Sequence, residues 1–282
     1  MKSTQTINIV KYNGDIVPFD DRKLINSLRR AKANEDDIQN IVSEIQQQVA
    51  EGMTTKKIYQ MAFKMLKSKS SVSASKYKLK KALMELGPSG FPFERFVGKV
   101  LEHEGFETEV GIIVQGKCVQ HEVDVIAQKG NKQYMIECKY HTSHGRFCNV
   151  KVPLYINSRF LDVEISWKNI NSHENKVYKG GLYTNTRFTS DAIQYGECVG
   201  LLMTSWDYPI NNGLKDRIDK LGLHPLTALT NLTKAEKTKL LDSGIVLCRE
   251  LHDNPHLLEG IGIHKNRLKK ILEDSEELCK SS

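Results

Sequence analysis

Six cysteines, at 118, 138, 148, 198, 248 and 279, never fall into a C-x-x-C pair, which argues against a zinc ribbon. Scattered in this way, they are expected to be reduced and either buried or incidental. No G-x-x-x-x-G-K-[ST] loop occurs, so nucleotide used as fuel at a P-loop is not expected. No apolar run approaches the length needed to span a bilayer. The opening MKSTQTINIVKYNG lacks a long apolar stretch, so a signal peptide is not expected and a cytoplasmic location is. Nor does the chain carry a basic tail.

What is present is a chain of 282 residues, room for two or three modest domains, with a formal net charge of +7. A mildly basic balance suits a nucleic-acid partner without requiring one. The clusters Lys76–Lys81 and Lys265–Lys270 lie on helical patterns, where they face either phosphate or water.

The richest signal is Asp124, followed after a possible Gly130-Asn131 hairpin turn by Glu137-Cys138-Lys139. That turn puts Asp124 opposite Glu137. Alternation along a strand puts Glu137 and Lys139 on one face and Cys138 on the other. Two carboxylates suit Mg²⁺, and an adjacent lysine can position water or a proton at a phosphate. A solvated face with a cross-strand ion pair has the same composition. The flanks HEVDVIAQ and QYMIECKY favour the functional reading, because they alternate charge with apolar residues as partly covered strands do.

From Pro92 to Pro209 the chain resembles the PD-(D/E)xK nucleases of the Mrr-like restriction endonuclease branch. The resemblance rests on Phe93-Glu94-Arg95-Phe96, Gly105-Phe106, VDVIA, ECKYH, the 180–189 run GGLYTNTRFT, Ala192, Tyr195 and Trp206-Asp207. The branch often has Gly where Glu122 stands here, after His121. The resemblance implies a mixed sheet flanked by helices. It implies Glu94 as a helix-borne acid supporting the site, and Mg²⁺ or Mn²⁺ held by Asp124, Glu137 and the Cys138 carbonyl. Lys139 would orient the attacking water or stabilise developing charge. Glu94 also reads simply as a first-turn glutamate favoured by the helix dipole. A helix over 152–166, with Val152, Tyr155, Ile156, Phe160 and Val163 inward, and strands near 181–186 and 198–204 complete the unit. His141 and His144 are possible substrate contacts.

The first third reads as a hairpin over 5–19 turning at Asn13-Gly14, then helices. Asp20 or Asp21 caps the first helix. A second runs from Glu35 with Gly52 at its C′ position, and Thr54 or Thr55 caps a third. The serine-rich 68–75 reads as a break before a basic helix. Val10-Lys11-x-x-Gly14, Phe19-Asp20-x-x-Lys23-Leu24, Arg29-Arg30-Ala31, Thr55-x-x-Ile58 and Ala74-x-x-Tyr77 resemble an ATP-cone. That resemblance implies ATP or dATP cradled by Ile9, Lys11, Gly14, Asp20, Lys23 and Thr55, with the two lysines at phosphates. Tyr12 stands where the family often has arginine.

Past Gly213 the pattern is helical. Leu257-Leu258-Glu259-Gly260-Ile261-Gly262, followed by Lys265, resembles a helix-hairpin-helix, with Asn266 where the family usually has Ala. It implies DNA phosphate contact at Gly260, Gly262 and Lys265. A C-cap with a structural turn reads equally well. Leu232, Leu240, Leu241, Gly244-Ile245 and Leu251 look like a degenerate partner repeat.

The expected fold class is therefore α/β (α+β overall), in three parts: a cone over 1–88, a nuclease domain over 89–212 and a helical domain over 213–282. The expected function is a metal-dependent DNA endonuclease under ATP or dATP control, acting as a homo-oligomer away from membranes. The alternative is a non-cleaving, nucleotide-sensing DNA-binding regulator.

Overall fold

The computed structural model describes residues 7–143, 145–170 and 175–280. Its first unit opens with β1 (Asn8–Val10) and β2 (Ile16–Pro18), which pair antiparallel with Ile9 opposite Val17. Gly14 turns the hairpin at φ +90°, where a side chain would strain the backbone. Residues 5 and 6 of the expected hairpin lie outside the described residues. Asp20 caps α1 (Asp21–Arg30), its Oδ1 accepting the Arg22 N–H at 3.1 Å.

Helix α2 (Glu35–Gln48) ends earlier than expected, with Val49 as its C-cap. Gly52 is therefore not its C′ residue. Gly52 sits at φ +76° in the turn into β3 (Met53–Thr54), donating its N–H to Asn8 O at 2.9 Å. Strand β3 lies parallel to β1, a pairing too short to leave a period in the sequence. Thr54 caps α3 (Thr55–Lys69) through Lys57 N–H.

The serine-rich stretch breaks the helical run at one residue and not over the whole of 68–75. Only Ser70 leaves the helix, capping α4 (Ser71–Tyr77) through Ser73 N–H. The other serines are absorbed, as where Ser75 Oγ donates to Ser71 O at 2.9 Å. After α5 (Leu79–Met84), Leu28, Ile38, Ile45, Ala62 and Leu66 form a core of their own with Ile9.

The middle unit begins with α6 (Phe91–His103), which starts a turn-length before Glu94 with Pro92 in its first turn. Then come β4 (Glu107–Gln115), β5 (Gln120–Lys129) and β6 (Lys132–Lys139). Lys129 pairs with Lys132, so Gly130-Asn131 is the hairpin loop. The rest is β7 (Phe147–Cys148), α7 (Lys151–Ile170), β8 (Val177–Thr184), β9 (Arg187–Phe188), α8 (Ser190–Cys198) and β10 (Leu202–Thr204). Sheet order is β10-β8-β6-β5-β4, antiparallel from β4 to β6 and parallel from β6 to β10. The result is a mixed α/β fold, as the sequence predicted.

Helix α6 covers one sheet face, where Phe93, Phe96 and Val97 meet Val125, Ile136 and Cys138. Helix α7 covers the other, where Phe160 and Val163 meet Val123 and Met135. Tyr155, expected inward, is 60% exposed. It lies beyond the edge of the α7 stripe that Ile156, Phe160 and Val163 define.

Helix α9 (Leu214–Leu221), a 3₁₀ turn (Leu226–Ala228), α10 (Lys234–Asp242), α11 (Glu250–Asp253), α12 (Pro255–Gly260) and α13 (Lys265–Cys279) complete the chain. Helix α5 is shared: Leu79 and Leu83 pack into the α6 core, and Ala82 into the core of the 3₁₀ turn and α10–α13. None of the described helices is long and apolar enough to cross a membrane.

Candidate active and nucleotide sites

Asp124 lies where β5 changes the face it presents. Val123 packs under α7 and Val125 under α6, although simple alternation would send both the same way. Opposite, Gly111 takes φ +68°, and neither Gly111 nor Asp124 belongs to a paired rung of the ladder. Pairing with β6 stops at Val125–Ile136. Beyond it the Asp124 side chain replaces the backbone, its Oδ2 accepting the Cys138 N–H at 2.7 Å. The expected adjacency of Asp124 and Glu137 thus exists, but through a splayed strand end and not through a regular rung.

Glu137 is buried, at 6% exposure. Its Oε1 accepts from Lys139 Nζ at 2.7 Å and its Oε2 from Arg159 Nη1. Arg159 Nη2 also donates to Glu122 O. Sequence reasoning missed Arg159. Its one trace is an arginine three residues after inward Ile156 and four before inward Val163 on an otherwise apolar helix face.

Glu94, half-buried on α6, faces the same patch. Burial and the charges of Asp124, Glu122 and Glu137 push its carboxyl up to about 7. Burial and the Glu137 charge push Asp124 up to about 6, against the opposing Cys138 hydrogen bond. Burial works against the Lys139 ammonium, yet the Glu137 contact and the Asp124 charge hold its pKa above the ordinary lysine value. A patch with this excess of negative charge attracts a cation.

Among the described residues, no group of three or more His, Cys, Asp or Glu side chains is arranged to hold a metal ion. The expected set is smaller: the two carboxylates Asp124 and Glu137, with the Cys138 carbonyl directly after Glu137 in sequence. All are oxygen donors, as Mg²⁺ prefers. At Glu137 a cation would compete with Arg159.

The GGLYTNTRFT run fixes Lys139 from behind. Gly181 lies opposite Ile136 in the β6–β8 pair, and a Cβ there would come within 3.1 Å of the Ile136 side chain. Thr184 Oγ1 donates to Lys139 O at 2.7 Å. Buried Asn185 accepts the His141 N–H at 2.9 Å and donates to His141 O at 2.8 Å. Burial, then the nearby Arg146 and Lys139 charges, keep His141 below the usual histidine range. His144 lies outside the described residues. The cleft over Lys139 has a volume of 540 Å³ and is lined by Gly90, Tyr140, His141, Thr142 and Arg146. Tyr140 ties it to the linker after α5, its hydroxyl donating to Met84 O at 2.7 Å and accepting the Gly87 N–H at 3.3 Å.

The candidate nucleotide residues gather where β1 and β3 run side by side. Val10 pairs with Thr54, so Lys11 and Thr55 are the next residues of adjacent chains. Lys11 Nζ lies 3.6 Å from Asp15, Lys23 is exposed on α1, and Ile9 is buried beneath. Asp20 is engaged by its own cap and by Arg22 Nε at 3.0 Å. Across from this hairpin, a Cβ on Gly145 would come within 3.0 Å of the Tyr12 ring, so the turn touches the loop after Lys139.

Residues 7–85 match the model of the ATP cone domain, and residues 224–279 match that of the AF1548-like C-terminal domain. An uncharacterised protein of Archaeoglobus fulgidus is 32% identical over 183 residues, which make up 64% of this chain and 99% of that protein. The chain belongs to the AF1548-like family. The crystal structure of AF1548, a protein of unknown function, is similar at 31% identity and a TM-score of 0.55, over 68% of this chain and 98% of that one.

Within the AF1548-like C-terminal region, two turns have one geometry. Gly244 and Gly262 both take φ +89°. Ile245 N–H bonds Leu240 O at 3.0 Å, and Ile263 N–H bonds Leu258 O at 3.1 Å, so each glycine closes a helix in the same way. Their surroundings differ. A Cβ on Gly244 would strike the Arg95 guanidinium, whereas Gly260 and Gly262 have nothing within 4 Å. Lys265 opens α13 and is exposed, as is Asn266.

Proposed function

We propose that this AF1548-like protein hydrolyses phosphodiester bonds in DNA with a divalent metal, under control of ATP or dATP at its cone. The observation that carries the reading is the crowding of Glu94, Asp124 and Glu137 around Lys139 at a splayed strand end beside a cleft. A bound Mg²⁺ or Mn²⁺ would neutralise charge building on the phosphoryl oxygens. The chain's own residues supply the rest. Lys139, fixed by Thr184 and Glu137, donates to a phosphate oxygen or holds the attacking water. Glu94, poised near neutral pH, exchanges a proton with water in the cleft. Thr184 and Asn185 keep the strand end rigid.

Contacts at both ends of the cleft support control by nucleotide. Tyr12 of the cone hairpin touches the loop at Gly145, and Tyr140 holds the linker after α5. Nucleotide shifts activity only if it binds two arrangements of these contacts unequally. Homo-oligomerisation would supply the second active site needed to cut both strands, and Gly260, Gly262 and Lys265 present an open turn for a further phosphate.

One observation favours a second reading, the non-cleaving DNA-binding regulator: both Glu137 oxygens already carry cationic partners. The discriminating experiment incubates supercoiled plasmid, branched DNA and RNA with the full chain in Mg²⁺ or EDTA, over a titration of ATP and dATP. Metal-dependent scission that changes with nucleotide supports the nuclease. No scission of any substrate, with DNA still bound, supports the regulator.

A further inference from the structure

Helices α3 and α5 of the cone, the 3₁₀ turn and α10 border two open cavities that the chemistry above does not use. The larger, of 810 Å³, is lined by Lys78, Lys234 and Lys237 with Glu85 and Asp242. Its neighbour, of 270 Å³, is lined by Tyr59, Phe63, Lys67 and Lys81, and shares Lys78 and Lys237 with the first. At its other end the larger cavity shares Pro88 and Thr142 with the cleft over Lys139. The three spaces therefore run on from one another along the seam between the cone and the rest of the chain.

Five lysines line the two outer cavities against two acids. Lys78 and Lys237 are nearly buried and donate to one acceptor, Thr227 O, at 3.1 and 2.9 Å. Glu85, 2.5 Å from Lys78, offsets one of the two charges. Burial, and then the Lys78 charge, pull Lys237 down to about 7. Loss of the Lys237 proton relieves the second buried charge, and an anion in the cavity would favour the protonated form again. At the far end Tyr59 stacks with Phe63 and Tyr77, with centroids 6.3 and 5.0 Å apart. The Tyr59 hydroxyl is buried with no hydrogen-bond partner among the described residues.

We infer that this seam is a channel for single-stranded nucleic acid, with phosphates at Lys78, Lys234 and Lys237 and a base at the Tyr59 hydroxyl beside Phe63. A basic groove that tracks the backbone, with aromatic side chains along it, is how single strands are held without sequence preference. The larger cavity has the volume of a sphere roughly 12 Å across. A duplex, whose major groove alone is ~12 Å wide, is too thick for it. A lone nucleotide is too short to use cavities that continue into the cleft. The inference rests on the nuclease reading only in making the cleft the point of scission.

The test is fluorescence anisotropy of the full chain with labelled oligothymidylate, and with a duplex of equal length, in EDTA so that nothing is cut. The expected result is tighter binding of the single strand by about tenfold or more. Lys234→Glu is exposed and should fold, and it should weaken that binding about fivefold. Adding Lys237→Gln should weaken it further and flatten the salt dependence by about 0.7 per lost phosphate contact. The melting temperature of Lys234→Glu should match wild type, since the side chain is exposed. Equal binding of strand and duplex, or wild-type affinity in Lys234→Glu, overturns the channel. Full displacement of the strand by ATP overturns it too, in favour of a second nucleotide site. Wild type that hydrolyses no phosphodiester yet binds single strands through Lys234 leaves the channel standing and defeats the nuclease reading.

Discussion

The Asp124 carboxylate accepts the Cys138 backbone N–H at 2.7 Å, so the acid proposed to hold a cation also closes the splayed end of the β5–β6 hairpin. The two roles separate by substitution. Asp124→Asn keeps an oxygen for the Cys138 N–H but loses the charge. Scission should fall by ~10²–10⁴-fold with little change in melting temperature. Asp124→Ala should lose the same activity and about 1–3 kcal/mol of stability, since the buried N–H loses its acceptor. Plasmid cutting and thermal melts on both variants separate the effects.

Arg159 and Glu137 form a nearly buried ion pair, 13% and 7% exposed at their side chains. Removing one member leaves the other charged and desolvated, at a cost of about 3–5 kcal/mol. Arg159→Leu should therefore melt well below wild type without metal and recover much of the loss in Mg²⁺, because a cation replaces the guanidinium. Melting with and without Mg²⁺ reads this directly. A variant that melts low in both conditions would assign Arg159 a purely structural role.

Tyr140 follows Lys139 and holds the cone's exit through Met84 and Gly87, while its ring lies 5.7 Å from that of Phe93. Tyr140→Phe keeps the ring and loses the hydroxyl. It should cost about 0.5–1.5 kcal/mol, leave ATP binding at the cone intact, and reduce the effect of ATP on activity. Calorimetric nucleotide affinity, set against the nucleotide dependence of cutting, checks it.

His224, the first residue of the AF1548-like C-terminal match, is 2% exposed, and its Nδ1 has no hydrogen-bond partner among the described residues. Burial, then the Lys76, Lys32 and Arg30 charges, push its pKa from 6.5 down to about 3. Its folded pKa is the lower one, so between these values the unfolded chain binds more protons. Stability should be full above pH 6.5 and fall as pH drops through the window, by up to ~1.4 kcal/mol per pH unit. Urea midpoints measured across that window should show the slope in wild type and a shallower one in His224→Gln.

The sequence made the Gly130-Asn131 loop legible because a two-residue turn and two alternating flanks fix a register by themselves. It made Glu137 and Lys139 legible for the same reason. The reversal of faces at Asp124 was not legible, because it depends on Gly111 of a different strand taking φ +68°. Arg159 was hidden because its partner lies on a strand 22 residues away. The motif at 180–189 was visible as a resemblance, but only the fold shows that Thr184 and Asn185 brace the residues around Lys139. The short β3 and the helical serines escaped because neither has enough length or apolar contrast to leave a period.

The measurement that bears most directly on the central claim is single-turnover cutting of end-labelled DNA in Mg²⁺ by wild type and by Lys139→Ala at equal melting temperature. The account predicts product from wild type, none in EDTA, and a rate ~10²–10⁴-fold lower in the variant. Equal rates in the two proteins, or no product from wild type at any nucleotide concentration, would contradict it.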